Sequence, residues 1–314
     1  MPPKILVISG PTASGKTRLA VELALRHGGE VVSADSMQVY RRMDIGTAKP
    51  TPEEMRGIPH HMLDVADPEE DFSVARYVEL AAPCVDDILA RGKLPIVAGG
   101  TGLYLDSLLS GRTFAPFSPD GGLRARLEAR FDALGGEAML GELAAADPEA
   151  AARLHPNDRK RIVRALEVFQ QTGKTISQHN RETRALPLRY DALTLSLAFQ
   201  RREDMWARID RRVDEMMAAG LAEEVRALLD SGVPVRCTAM QAIGYKEMAA
   251  ALRGGGDVCA AAEEIKLRSR QYAKRQLTWF RRNAAAKPIL WDTQPDFEAA
   301  CQASTVFMEE FGLV

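Results

Sequence analysis

The sequence predicts an α/β protein, a parallel sheet interrupted by an all-helical insertion. Three observations carry that expectation. Short apolar runs at residues 4–9, 30–34 and 94–98 alternate with segments of helical periodicity, the pattern of a parallel sheet covered on both faces. Residues 116–189 then read as breaker and helix with no strand candidate. A further strand-like run, ALTLSLAF at residues 192–199, resumes the first pattern afterwards, so the helical block is expected to sit inside an α/β domain rather than after it. The expected division is a core of residues 1–115 and 190–314 and an insertion of residues 116–189.

The first run, Lys4 to Ser9, has the length of a buried strand. Gly10 to Thr17 follows as a glycine-bearing loop, and Arg18 to Arg26 places Leu19, Ala20, Leu23 and Ala24 at helical spacing. Between the second and third runs, Val74, Val78, Ala81, Val85, Ile88 and Leu89 mark another helix. PFSPDGG, residues 116–122, breaks the pattern before the helical block. After the resumed strand, Met205, Ile209, Val213, Met216, Met217, Leu221, Val225 and Leu228 step by threes and fours through helical structure broken around Gly220. The methionines in that stripe are read as core.

With 314 residues the chain can form one large domain or two smaller ones. Its 46% hydrophobic and 27% charged residues belong to an ordinary folded protein, which excludes a disordered chain or a disulfide-built miniature. A formal net charge of −2 means that any nucleic-acid contact must come from local basic clusters. Cys84, Cys237, Cys259 and Cys301 lie far apart with no C-x-x-C pair, so reduced thiols are expected rather than a zinc site or disulfide framework. With no basic leader before an apolar segment and no 18-residue apolar run, a cytoplasmic protein without a membrane partner is expected. A monomer is the default expectation.

One motif points to its ligand directly. GPTASGKT fits G-x-x-x-x-G-K-[ST] at Gly10, Gly15, Lys16 and Thr17. The glycines let backbone N–H groups turn toward phosphate oxygens, Lys16 supplies a point charge, and Thr17 offers a hydroxyl to Mg2+. A strand before and a helix after are the context such a loop requires, so a P-loop NTPase-like parallel sheet core is expected. The motif specifies a di- or triphosphate and does not specify ATP.

Asp35 falls at the carboxyl end of the second strand, where open α/β sheets place ligand contacts. Its carboxylate can orient or deprotonate an acceptor hydroxyl, take a proton from an amine, or simply cap a strand-end turn. Gln38 narrows the choice, because a side-chain amide can pair with the N6 and N7 edge of adenine. Two basic clusters offer RNA contacts or solvated helix faces. One is RKRIVR, Arg159 to Arg164; the other spans Ile265 to Trp291, which has no Asp or Glu and interleaves Lys266, Arg268, Arg270, Lys274, Arg275, Arg281 and Arg282 with Tyr272, Trp279 and Phe280. The pair His60-His61 lacks a third metal ligand in the sequence and is read as packing. HPND, residues 155–158, is read as a helix start with Asn157 or Asp158 as N-cap.

Taken together, GPTASGKT, SADSMQVY, GTAKPT, IPHHMLD, VAGGTGLYL, HPNDRKRIVRALEV, QAIGYKE and AKRQLTWFR resemble bacterial tRNA dimethylallyltransferase, also called tRNA isopentenyltransferase, in order and approximate spacing over nearly the whole chain. The resemblance implies that the P-loop holds the diphosphate of dimethylallyl diphosphate, with Mg2+, and that a channel leads the isoprenoid tail to an adenosine flipped out of a tRNA anticodon stem-loop. It implies diphosphate contacts at Gly10, Pro11, Thr12, Ala13, Ser14, Gly15, Lys16 and Thr17, the metal at Thr17, and diphosphate-side arginines at Arg208 and Arg212. It makes Asp35 the general base on N6, with Thr101 near N6 and Lys16 as the charge clamp. It places Asp35, Ser36, Met37, Gln38, Thr101, Arg159, Lys160, Arg161, Ile162, Val163, Gln241, Gly244, Lys274 and Arg275 against tRNA.

Three rivals share some of these features. A P-loop small-molecule kinase would use Gly10 to Thr17 and a strand-end carboxylate, but leaves Gln38 and the acid-free basic run without a task. An isopentenyltransferase acting on free adenine nucleotides would not need the helical insertion or the basic surface. A non-catalytic, nucleotide-dependent RNA-binding protein would leave Asp35 idle.

Overall fold

The computed structural model describes residues 2–111, 114 and 122–314. In chain order the first elements are β1 (Lys4–Ser9), α1 (Lys16–His27), β2 (Gly29–Ser33), α2 (Pro52–Met55), β3 (His60–His61), α3 (Val74–Ala90), β4 (Leu94–Gly99) and α4 (Gly102–Ser110). α5 (Gly122–Ala146), α6 (Pro148–Ala151), α7 (Arg159–Thr172) and α8 (Ile176–Arg184) follow without a strand among them. β5 (Asp191–Phe199), α9 (Arg202–Ala218), α10 (Leu221–Asp230), α11 (Tyr245–Gly254), α12 (Val258–Phe280), β6 (Lys287–Trp291) and α13 (Phe297–Phe311) complete the chain.

The six strands form one sheet, ordered β3-β2-β4-β1-β5-β6, in which every neighbouring pair is parallel. Leu6 stands opposite Ile96 on one side and Leu193 on the other. β1 is buried at five of its six positions, as its unbroken apolar run requires when both faces are covered. Leu6, Ile8, Leu19, Leu23, Ile96, Leu195 and Trp291 share one core cluster. The long helical segment after β5 breaks at Gly220, whose φ of 100° ends α9 and starts α10.

Two strands were not expected. β3 is a two-residue edge at the expected histidine pair, too short to leave a period-2 pattern. β6 carries Pro288 and pairs only with β5; an edge strand tolerates proline, and its alternating exposure hides it from a search for buried runs.

The chain divides into two compact units, one of residues up to Leu109 and from Arg189 on, the other Ser110–Leu188. The second unit starts at the end of α4 rather than at Pro116, and the breaker expected at residues 116–121 lies outside the described residues. Its own core gathers Leu127, Met139, Leu143, Ile162, Val163 and Leu166 from α5 and α7. α5 is bent where Gly135 takes a φ of 79°.

Candidate active site

β1, β2 and β4 run parallel and end side by side, so the loops after Ser9, Ser33 and Gly99 open on one edge of the sheet. The first loop is the one whose spacing predicts a phosphate cradle. Gly10 has no room for a side chain, since an added Cβ would lie 2.8 Å from the Leu197 carbonyl oxygen. Gly15 combines a φ of 85° with a Cβ position 2.8 Å from the Phe297 ring, so only glycine fits there. Lys16 Nζ donates to the Pro11 carbonyl at 2.7 Å. Burial, with Arg212 adding to it and Asp35 opposing, pushes the Lys16 ammonium down to about 7. Arg208 Nε donates to the Ala13 carbonyl at 3.1 Å, and burial lowers the pKa of the Arg208 and Arg212 guanidiniums as well. Ser14 Oγ is buried in the same loop without a hydrogen-bond partner among the described residues. Desolvated cations and an unsatisfied hydroxyl around one loop are the electrostatics of an anion site.

The second and third loops meet. Gly99 lies so close to Ala34 that an added Cβ would stand 2.1 Å from the Ala34 carbonyl oxygen. That contact brings the residues after β2 and β4 together: Thr101 N donates to the Ala34 carbonyl and Ser36 N donates to Thr101 Oγ1, at 3.1 and 3.0 Å. Asp35 Oδ1 accepts from the backbone N–H groups of Met37 and Gln38 at 2.8 and 3.3 Å, the turn cap considered for it in the sequence. Both turn bonds go to Oδ1, so chemistry at Oδ2 leaves the turn intact.

Two cavities adjoin these loops. One, of about 720 Å³, is lined by the cradle, Asp35 and the arginines 208, 211 and 212. The other, of about 410 Å³, is lined by Met37, Ile209, Val213, Ile243 and Ile265 together with Ser36, Gln241 and Arg275. Thr12, Ala13, Asp35, Thr47, Arg212, Met216 and Tyr272 line both.

A family model described as IPP transferase matches residues 38–283, and one described as isopentenyl transferase matches residues 3–70. The chain belongs to the IPP transferase family. It is 49% identical to tRNA dimethylallyltransferase 1 of Trichlorobacter lovleyi over 97% of this chain and 98% of that one. It is 48% identical to tRNA dimethylallyltransferase of Geobacter sulfurreducens over 98% and 97%. Among solved structures it is similar to the full-length tRNA isopentenylpyrophosphate transferase of Bacillus halodurans, with 42% identity, a TM-score of 0.71 and coverage of 98% and 96%. A eukaryotic dimethylallyltransferase caught acting on tRNA matches with 30% identity, a TM-score of 0.82 and coverage of 98% of this chain and 80% of that one. The P-loop NTPase-like fold is thus the IPP transferase fold.

Within this IPP transferase the side chains of several expected contact residues have other work. Gln38 is buried, its Nε2 donating to the carbonyls of Thr47 and Ala48 at 3.3 and 3.1 Å while its Oε1 accepts from Ser33 Oγ at 3.1 Å. Both N–H donors are spent on the 44–50 loop and one Oε1 lone pair on Ser33, so in this structure the amide is part of the cavity wall. Ile162 and Val163, expected against RNA, are core residues of the helical unit at 0% and 2% exposure. Arg159 pairs with Asp132, whereas Lys160 and Arg161 are exposed. Gly244 is the N-cap of α11, its N–H donating to Glu247, and Lys274 is exposed on α12; neither lines the two cavities.

Other residues at the site were not assigned to it from the sequence. Arg211 joins the arginine row, and Tyr272 stands where the cavities meet. Met216, read as core, lines both cavities. Glu224 on α10 accepts from three successive backbone N–H groups, those of Asp44, Ile45 and Gly46, at 2.8, 2.8 and 3.1 Å, and so fixes the loop that Gln38 also holds. These residues are scattered in sequence, and the local signals were those of Arg211, beside the expected Arg212, and Tyr272, inside the acid-free basic run.

His61 Nε2 hydrogen-bonds with Glu30 Oε2 at 2.8 Å. Among the described residues no three His, Cys, Asp or Glu side chains are grouped to hold a metal ion. Mg2+ does not need such a group when a phosphate supplies ligands, because it takes one or two protein oxygens and completes its shell with phosphate and water. The Thr17 hydroxyl, a hard oxygen at the cradle cavity, fits that donor set.

Proposed function

We propose that the protein transfers a dimethylallyl group from dimethylallyl diphosphate to N6 of the adenosine 3′-adjacent to the tRNA anticodon, releasing diphosphate. One observation carries this reading: the cationic cradle cavity and the apolar cavity share Asp35, Thr12 and Arg212. A diphosphate site therefore opens directly onto a carboxylate and an apolar space, as alkyl transfer from an allylic diphosphate to an amine requires. The names of the relatives, all tRNA dimethylallyltransferases or isopentenyltransferases, support the same activity.

In the reaction the bond between the allylic carbon and the diphosphate oxygen breaks as a bond from that carbon to N6 forms. Asp35 takes the N6 proton, and Thr101, held at Ser36, orients the amine. Lys16, Arg208, Arg212 and the cradle N–H groups stabilise the negative charge that develops on the leaving diphosphate. Thr17 would hold Mg2+, which would neutralise part of the same charge. The apolar wall of the second cavity keeps water from the allylic carbon. The acceptor is an anticodon stem-loop whose adenosine leaves its stack at a cost of a few kcal/mol, and Lys160, Arg161, Lys274 and Arg275 supply phosphate contacts. Among the described residues no helix is long and apolar enough to cross a membrane; we place the enzyme, as a monomer, in the cytoplasm with its tRNA.

The test is mass analysis of an anticodon stem-loop RNA after incubation with enzyme, Mg2+ and dimethylallyl diphosphate. A gain of one dimethylallyl group, absent when guanosine replaces the target adenosine, is expected. No gain, with ATP-dependent phosphorylation of a small molecule instead, would return the cradle to the kinases.

A further inference from the structure

Gln276, on α12, is buried at 6% exposure and its amide spans two loops of the site. Its Oε1 accepts from the backbone N–H of Thr12 at 2.9 Å, and its Nε2 donates to the Gly100 carbonyl at 2.9 Å. The two partners, a donor and an acceptor, fix which end of the amide faces which loop.

Each of those bonds holds a peptide plane that is also held at its other end. The peptide joining Pro11 to Thr12 gives its N–H to Gln276 and its carbonyl to the Lys16 ammonium, at 2.9 and 2.7 Å. The peptide joining Gly100 to Thr101 gives its carbonyl to Gln276 and its N–H to the Ala34 carbonyl, at 2.9 and 3.1 Å. A planar peptide transmits orientation from one end to the other. One side chain thus connects Lys16 in the cradle with Thr101 and the residue preceding Asp35. The fit is close: a Cβ added at Gly100 would lie 2.4 Å from Gln276 Nε2. Tyr272, one turn earlier on α12, lines both cavities beside this side chain.

We propose that Gln276 is a positioning residue that sets the diphosphate cradle in register with the acceptor loop at Thr101. The proposal rests on the function given above, since it assigns the cradle to the donor and Thr101 to the acceptor. A nucleophile and a leaving group displaced by about 1 Å lose on the order of a hundredfold in rate, so a brace between their holders acts on the chemical step through geometry.

Two substitutions separate its ends. Gln276→Glu keeps an acceptor for Thr12 N–H but replaces the donor facing the Gly100 carbonyl with a second oxygen. Gln276→Met keeps length and removes both bonds. Three quantities are measured for each: inorganic diphosphate affinity by calorimetry, the single-turnover rate of stem-loop alkylation with saturating donor, and the thermal midpoint. Gln276→Glu is expected to bind diphosphate within about threefold of wild type while its single-turnover rate falls about a hundredfold. Gln276→Met is expected to lose about tenfold in diphosphate affinity as well as the rate. Wild-type rate and affinity in Gln276→Met would overturn the proposal, and so would equal losses of both quantities in the two variants. If Gln276→Met does not fold, the split between affinity and rate in Gln276→Glu decides alone. If wild type does not alkylate the RNA, the functional reading fails, and the register with it, whatever the diphosphate affinities.

Discussion

Lys16 owes its behaviour to two neighbours of opposite sign and to its burial. Burial and Arg212 hold its ammonium down to about 7, against the pull of Asp35. A diphosphate in contact favours the charged form, so binding and protonation are coupled. Below pH 7 the ammonium is already formed and the coupling is silent; above it, each pH unit is expected to weaken diphosphate binding by up to about tenfold. Calorimetric titration of inorganic diphosphate between pH 6 and 9 checks this against Lys16→Met, whose profile reports only the ionisation of diphosphate itself. Parallel profiles would show that Lys16 is not the coupled group. At Asp35, replacement by Asn keeps an oxygen for the turn bonds to Met37 and Gln38 but removes the proton acceptor. The alkylation rate should fall about 10²- to 10⁴-fold with stem-loop affinity unchanged, and a wild-type rate in that variant would end the base assignment. Gln38 carries the opposite lesson. Its amide had the right chemistry for adenine, yet hydrogen bonds to Ser33, Thr47 and Ala48 already occupy it. No spacing rule reports that a polar side chain has been claimed by its own fold.

The elements show what ties together the edge of the sheet opposite the site. Near the start of β2, the Glu30 carboxylate is 2% exposed and meets Arg91, Lys93 and His61. These residues come from the end of α3, the approach to β4, and β3. The Arg91 hydrogen bonds, joined by those of Lys93 and His61 and opposed by burial, hold Glu30 well below its ordinary value of 4.5. A folded-state value below the unfolded one means stability that is complete above about pH 4.5 and lost as the pH falls toward the folded value. Glu30→Gln should cost about 1–3 kcal/mol at pH 7, and its difference from wild type should shrink in acid. Urea unfolding at pH 7 and pH 3 measures both, and a difference that does not change with pH would refute the linkage. Apolar patterning found β1, β2 and β4 because they are continuous buried runs, and β5 because it is an apolar stretch whose buried positions alternate. It missed β3 and β6 because one is two residues long and the other is an edge strand containing proline.

Over the whole molecule, the two compact units each have their own core. Ile162 is fully buried in the helical one, so Ile162→Ala should destabilise that unit by about 2–5 kcal/mol. Hydrogen exchange should accelerate within residues 122–188, while inorganic diphosphate affinity, a property of the other unit, stays at the wild-type value. A matching loss of diphosphate binding would mean that the two cores are not energetically separate. The sequence by itself determined the α/β class, the glycine-bearing loop between β1 and α1, the run of helices without a strand before β5 and the carboxylate after a strand end. Each of these is written in local spacing: glycines where a backbone must turn, apolar residues at periods of two or 3.6. Only the tertiary structure decided which polar side chains line the cavities and which are spent on the fold. It turned Ile162 and Val163 inward, committed Gln38 to a loop, and brought Tyr272, Gln276 and the arginines of α9 to the cradle. Hydrogen-bond saturation and burial depend on what packs against a residue from far along the chain, and a linear pattern does not contain that neighbour.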